Sequence, residues 1–275
     1  MIRTILRLAC CVVFLCTSSP ATATPRIVVT DNDCANFPDG LGSGVTSGAT
    51  IILDTDLTVD SDGDDCILIS NVARVKLMLN GHSINLSGIG LAGIRVENSS
   101  RVKIIGPGKV NGFAWGVRIL GSSEVLVSRV ISHGRGSGEG IALVSSSHSR
   151  LERNILFEHL QGIEVAAPFS SPPSAMNVVS QNEVFANDYG ITVFGFSNSV
   201  SGNNVSGNNA IGIRVAGEEN GPNTIINNIV LGNGAWDIRR LSGQQVGDVI
   251  ENNVCEVSEP LGLCPALIPD FDIDH

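Results

Sequence analysis

Apolar residues along this chain come in short bursts separated by glycine, serine and asparagine, and one burst repeats. Gly93-Ile94-Arg95-Val96 returns as Gly116-Val117-Arg118-Ile119, Gly140-Ile141-Ala142-Leu143, Gly162-Ile163-Glu164-Val165, Gly190-Ile191-Thr192-Val193 and Gly212-Ile213-Arg214-Val215. Successive copies lie 23, 24, 22, 28 and 22 residues apart, and a weaker copy, Asp237-Ile238-Arg239-Arg240, follows. Each period holds two more apolar segments, such as Ser199-Val200 and Val205, or Ile225-Ile226 and Ile229-Val230. Segments this short, rich in β-branched residues and bounded by turn formers, are strands rather than helices.

Three strands and three turns per period, repeated at this spacing, predict an all-β fold: a right-handed parallel β-helix, a three-sheet solenoid of about eight coils. Asparagine gives an independent check. The pairs Asn203-Asn204, Asn227-Asn228 and Asn252-Asn253 precede the third apolar segment, and Asn154 and Asn182 fill one slot of that pair in earlier coils. Coils stacked about 4.8 Å apart would let these amides hydrogen-bond up and down a ladder. The predicted organisation is a signal peptide at 1–23, an N-terminal cap at 24–49, the β-helix at 50–257, and a C-terminal cap and tail at 258–275.

Composition supports this layout. The chain of 275 residues is 43% hydrophobic, 16% charged and 4% aromatic, with 31 glycines. Arg3 and Arg7, the apolar run Leu8 to Cys16 and Ala21-Thr22-Ala23 have the order of a secretory leader cut after Ala23. The apolar run is too short to cross a bilayer, so a secreted or periplasmic protein without membrane insertion is expected. In an oxidising compartment the four cysteines outside the leader, Cys34, Cys66, Cys255 and Cys264, would form disulfides. Their positions at the two ends of the repeats favour Cys34 with Cys66 and Cys255 with Cys264, stapling the open ends of the stack. The net charge of −10, more negative once the two leader arginines are gone, argues against nucleic acid as a partner.

The phrase Leu77-Met78-Leu79-Asn80-Gly81-His82-Ser83-Ile84, followed by Gly-Ile-x-Val coils and Asn-Asn steps, resembles the secreted right-handed parallel β-helix repeat proteins of bacteria. These are similar to pectate-lyase-like and carbohydrate-binding β-helix domains and to NosD-type periplasmic copper accessory proteins. Met78 stands where Asp is usual in that phrase. The DPHD phrase of alginate epimerases is absent, so the resemblance carries over no catalytic residue. It does imply polysaccharide binding along one exposed parallel sheet, acidic polymers included.

In Gly-Ile-x-Val the Ile and Val point inward and x points out. The outward column therefore reads Arg95, Arg118, Ala142, Glu164, Thr192, Arg214, Arg239. Arginines there could hold uronate carboxylates; solvated arginines paired with Glu97 or Glu124 are the plainer alternative. Substrate-binding candidates are Arg95, Arg118, Glu164, Asp188 and Arg214. The turns entering the sheet bring His133 with Glu139, then Glu158 with His159, then Asp188 with Tyr189. A histidine and a tyrosine supply the base and acid that β-elimination or C5 epimerisation of a uronate needs, which makes His133, His159 and Tyr189 the catalytic candidates. The insertion at 166–174 would wall the groove beside Glu164. Neither a metal nor a cofactor is expected: Asp60 to Asp65 lacks the EF-hand spacing, and the His and Met residues form no ligand cluster. Two functions fit: polysaccharide binding, with lyase or epimerase activity, and a non-catalytic structural or adhesive module.

Overall fold

In the computed structural model, residues 25–29, 45–59, 65–87, 91–166, 172–216, 221–241 and 247–264 are described. The Gly-Ile-x-Val copies become one parallel sheet of nine strands, laid down in chain order from Ile67–Ser70 through Ala92–Glu97, Trp115–Leu120, Glu139–Val144, Gln161–Ala166, Tyr189–Val193, Ile211–Val215 and Trp236–Arg240 to Ser258–Glu259. Their Cα register aligns Ile94, Val117, Ile141, Ile163, Ile191, Ile213 and Ile238 in one inward column. Each is 0% exposed. Stacked aliphatics thus fill a dry shaft, and the fold is a parallel β-solenoid of about eight turns. The glycine opening each phrase is required by close approach: a Cβ on Gly190 would lie 2.5 Å from both the Gly212 carbonyl oxygen and Val205 Cγ1.

The other two strand columns make two faces, as expected, but they belong to one hydrogen-bonded sheet of 16 strands. Lys103–Asn111 and Leu126–His133 run through the corner between these faces and weld them together. In later coils the corner is a break, taken by one left-handed residue: Arg153, Gln181, Gly202, Asn227 and Asn252 have φ between 55° and 65°. The predicted ladder follows it. Asn154, Asn182, Asn203, Asn228 and Asn253 are all buried; Asn154 Oδ1 accepts from the Val130 N–H, and each later Oδ1 accepts from the backbone N–H and the side-chain amide of the asparagine before it.

Two further asparagine ladders run up the other corners. One joins Ser149, Asn177, Asn198 and Asn223 to Asp248. The other starts at His159 and continues through Asn187, Asn208 and Asn233 to Asp237. A serine column, Ser99, Ser122, Ser146 and Ser174, binds the early coils at the turn leaving the nine-stranded sheet.

The ends are closed by strands as well as cysteines. Arg26–Val29, within the region read as a cap, pairs in parallel with Thr50–Leu53 and covers its edge. Cys255 is bonded to Cys264, as expected. Cys66 is also disulfide-bonded, while Cys34 lies outside the described residues, as do the leader, the Asp60–Asp64 run and the tail beyond 264.

Candidate functional site

Besides its inward aliphatics, the nine-stranded sheet carries two further columns, whose side chains meet where Arg118 covers Trp115, Arg214 covers Tyr189 and Gln161 bonds Glu164. The first runs Arg95, Arg118, Ala142, Glu164, Thr192, Arg214, Arg239 and Glu259, in direct Cα register from strand to strand. The second holds the residue before each glycine: Ala92, Trp115, Glu139, Gln161, Tyr189, Ile211 and Trp236. Side by side, the columns set three of the four arginines of the first against a ring of the second; Arg95 has Ala92 there instead. Arg118 lies 4.1 Å over Trp115, and Arg239 4.4 Å over Trp236. Arg214 sits between Tyr189 at 4.5 Å and Phe194 at 4.8 Å.

The arginines divide by their acids. Arg95 is neutralised by Asp65 at 3.3 Å and Glu97 at 2.9 Å, and Arg239 pairs with Glu259. Glu124 pairs with Arg101, not with the column. Among the described residues, Arg118 and Arg214 make no ion pair; aromatic faces hold them instead. Burial pushes the Arg214 guanidinium below its usual value, partly offset by the nearby Tyr189 and Glu164.

Between these two cations lies an acidic centre. Gln161, 8% exposed, donates from Nε2 to Glu164 Oε1 at 3.1 Å. Glu139 is its register partner in the preceding strand. Burial raises the Glu139 carboxyl above its usual value and the charge of Glu164 adds to the rise, while hydrogen bonds from Trp115 and Gln161 and the charge of Arg118 oppose it. Buried polar atoms without a hydrogen-bond partner gather here: Arg95 Nε, Arg118 Nε, Gln161 Oε1, Thr192 Oγ1 and Arg214 Nε all lie on this strip. Such groups are rare in folded proteins, and each calls for an explanation.

The three catalytic candidates do not meet. Tyr189 is on the strip, but His133 ends a strand of the 16-stranded sheet, its ring stacked 4.6 Å from Phe157 and its Nε2 2.9 Å from Glu158. It borders a cleft of about 320 Å³ with Asn85, Asn111 and Arg135. His159 is 1% exposed, its Nε2 3.0 Å from Ser132 Oγ, and burial takes its pKa down to about 4. A substrate on the outer face cannot touch it; it heads an asparagine ladder. Asp188 stands at the corner before Tyr189 and accepts from Asn209 Nδ2 at 2.9 Å. Trp115, Glu139 and Gln161 were not among the sequence candidates. Their signal was the slot before the repeated glycine, where Tyr189 also falls. Of the insertion, residues 167–171 lie outside the described residues.

Among the described residues no three His, Cys, Asp or Glu side chains converge, and Met176 is alone on the surface. No helix among them is long and apolar enough to cross a membrane.

Solved structures share this architecture. The alginate lyase from Paenibacillus sp. str. FPU-7 matches with a TM-score of 0.58 at 14% identity, over 86% of this chain and 99% of that one. Pectate lyase Pel9A matches with a TM-score of 0.56 at 13% identity, over 84% and 76%. At such identities the likeness is one of fold. No curated protein sequence matches the chain. The sequence profile described as periplasmic copper-binding protein (NosD) matches residues 47–259, the whole stack of coils, and the chain belongs to that family.

Proposed function

We propose that this β-helix binds a carboxylated polysaccharide along the outer face of its nine-stranded sheet, with uronate carboxylates seated on Arg118 and Arg214. One observation carries the reading: these two guanidinium groups lie against aromatic rings without an acid partner, while their column neighbours Arg95 and Arg239 are neutralised. A charge-assisted bond to a carboxylate would satisfy them, and the exposed ring edges beside them offer apolar contact to sugar. The alginate and pectate lyases that share the fold support a polymer of this class. With residues 1–23 read as a leader, the mature chain would work in the periplasm or outside the cell, consistent with a periplasmic family.

Copper, which the family description names, does not fit the described residues. Among them His82 and His133 each pair with one acid and His159 meets Ser132, and no three His, Cys, Asp or Glu side chains converge.

Elimination or C5 epimerisation is the reaction that arginine-bound uronates invite, and Tyr189 is the member of the expected acid–base set that lies on the strip. The separation of His133 and His159 from this face favours a second reading, a binding module without catalysis. Electrophoresis through gels containing alginate or polygalacturonate tests the binding. The protein is expected to be retarded, less so at high salt, and Arg118→Ala and Arg214→Ala are each expected to weaken retention by about tenfold or more. Retention untouched by both substitutions, or none on any polymer, overturns the assignment. Absorbance of unsaturated uronate separates a lyase from a binding module.

A further inference from the structure

We propose that Glu139 and Glu164 form a carboxylate pair that hydrolyses a glycosidic bond of the polymer held on this face, Glu139 as proton donor and Glu164 as the base that activates water. The proposal rests on the polysaccharide reading above, but it replaces elimination with hydrolysis.

The two acids face the same way from adjacent strands, and Gln161 ties them together: it is the register partner of Glu139 and bonds Glu164 at 3.1 Å. Their surroundings differ as two distinct roles require. Burial and then the charge of Glu164 raise the Glu139 carboxyl above its usual value, against the hydrogen bond from the Trp115 indole, the direction that suits a proton donor. Glu164 instead accepts a hydrogen bond from the Gln161 amide. Two further atoms point to a ligand. Gln161 Oε1, on a side chain more than nine-tenths buried, accepts nothing, and Thr192 Oγ1, 0% exposed and in register with Glu164, has no partner. An acceptor and a hydroxyl beside two carboxyls suit the hydroxyl groups of a sugar ring. Arg118 and Arg214 lie on either side along the strip, where a chain spanning the pair would place its carboxylates.

The step balances without a cofactor. The Glu139 proton passes to the glycosidic oxygen as its bond to the anomeric carbon breaks, and the leaving sugar keeps the electron pair. Glu164 takes a proton from water, whose oxygen bonds to the anomeric carbon. One water is consumed, and the proton on Glu164 returns to Glu139 through solvent.

The test incubates residues 24–275 with alginate, polygalacturonate, hyaluronan and chondroitin sulfate, following new reducing ends, unsaturated-uronate absorbance and retention in polymer gels. The expected result is reducing ends without the chromophore from a retained polymer, with a rate that falls on both sides of a pH optimum. Glu139→Gln and Glu164→Gln should each lower that rate by about a hundredfold or more while retention and melting persist. Reducing ends accompanied by the chromophore would mean elimination and overturn the pair. No cleavage of a retained polymer would overturn it while leaving the binding reading intact. Loss of retention on every polymer would instead remove the reading beneath.

Discussion

Two buried amides, Asn203 in a corner ladder and Gln161 on the outer strip, have the same functional group and opposite fates. Asn203 is 1% exposed and satisfied in both directions: its Nδ2 donates to Val179 O and Asn228 Oδ1, and its Oδ1 accepts from the backbone and side chain of Asn182. Gln161 is 8% exposed, donates to Glu164 and leaves Oε1 with nothing. Periodicity explains the first, since an asparagine in every coil meets another asparagine above and below. The strip has no such repeat: Trp115, Glu139, Gln161, Tyr189 and Ile211 succeed one another in a single slot. Where the coils agree, the residues hold the stack together; where they differ, they face outward and are free to recognise.

The largest expected effect of breaking this contrast is in the ladder. Asn203→Ala would leave the Asn182 backbone N–H without an acceptor and its Nδ2 with Leu151 O alone, and the Val179 carbonyl and Asn228 Oδ1 each short of a donor. At about 1–3 kcal/mol for a buried group left unpaired, the loss should total about 3–5 kcal/mol. Glu164→Ala on the strip should change stability by less than about 1 kcal/mol, as surface substitutions do. Urea titrations of both variants check this. Equal losses would mean that strip and ladder are one structural system.

The same contrast sets what could be read in advance. The repeated phrase fixes the period, the period fixes the inward aliphatics, and strand alternation then gives the outward column; Arg95 to Arg239 fall in register as the spacing requires. The corners were harder, because a few residues of turn decide whether a side chain faces sheet, interior or solvent. His159 is 28 residues before Asn187, the same step that separates Gly162 from Gly190. Aligning a second asparagine column would have placed it in the ladder rather than in a site. His133 shares a turn with Glu139 in the sequence but not a face: it ends the preceding strand, and the chain turns a corner before reaching Glu139. Glu139 itself was hidden by the slot before the glycine, which reads as turn packing when occupied by Trp115 or Trp236.

A second effect sharpens the comparison by making the ladder regular. His159 stands where Asn187, Asn208 and Asn233 stand in later coils, and its buried ring titrates at about 4 rather than 6.5. The folded state therefore resists a proton that the unfolded chain accepts. This contribution is intact above pH 6.5 and is lost as pH falls from 6.5 to 4, reaching about 3 kcal/mol. His159→Asn should sit within about 1 kcal/mol of the parent at pH 7, since it trades ring packing for ladder bonds, and should be the more stable protein at pH 4.5. Urea midpoints at the two pH values measure this. An acid loss shared equally by parent and variant would assign the sensitivity to other groups.

The smallest effect lies on the strip and has the opposite sign. Glu139 is raised by burial and by Glu164, so its carboxylate is less comfortable in the folded protein than in the unfolded chain. Below the ordinary carboxyl value both states hold the proton and nothing is lost. As pH rises through that value and then through the raised one, the unfolded chain ionises first and folding loses stability. Glu139→Gln cannot ionise, keeps a hydrogen-bonding group opposite Trp115, and should therefore melt higher than the parent at pH 7, with the gap closing toward pH 4. Water reaches part of this carboxyl, so the gain should stay below about 1 kcal/mol. A ladder asparagine offers no such gain, because there every substitution breaks a bond that the native amide makes. Stability gained by removing a side chain is the mark of a position kept for something other than folding, as with strained groups at working sites. A variant that melts lower at pH 7 would put Glu139 with the ladder instead.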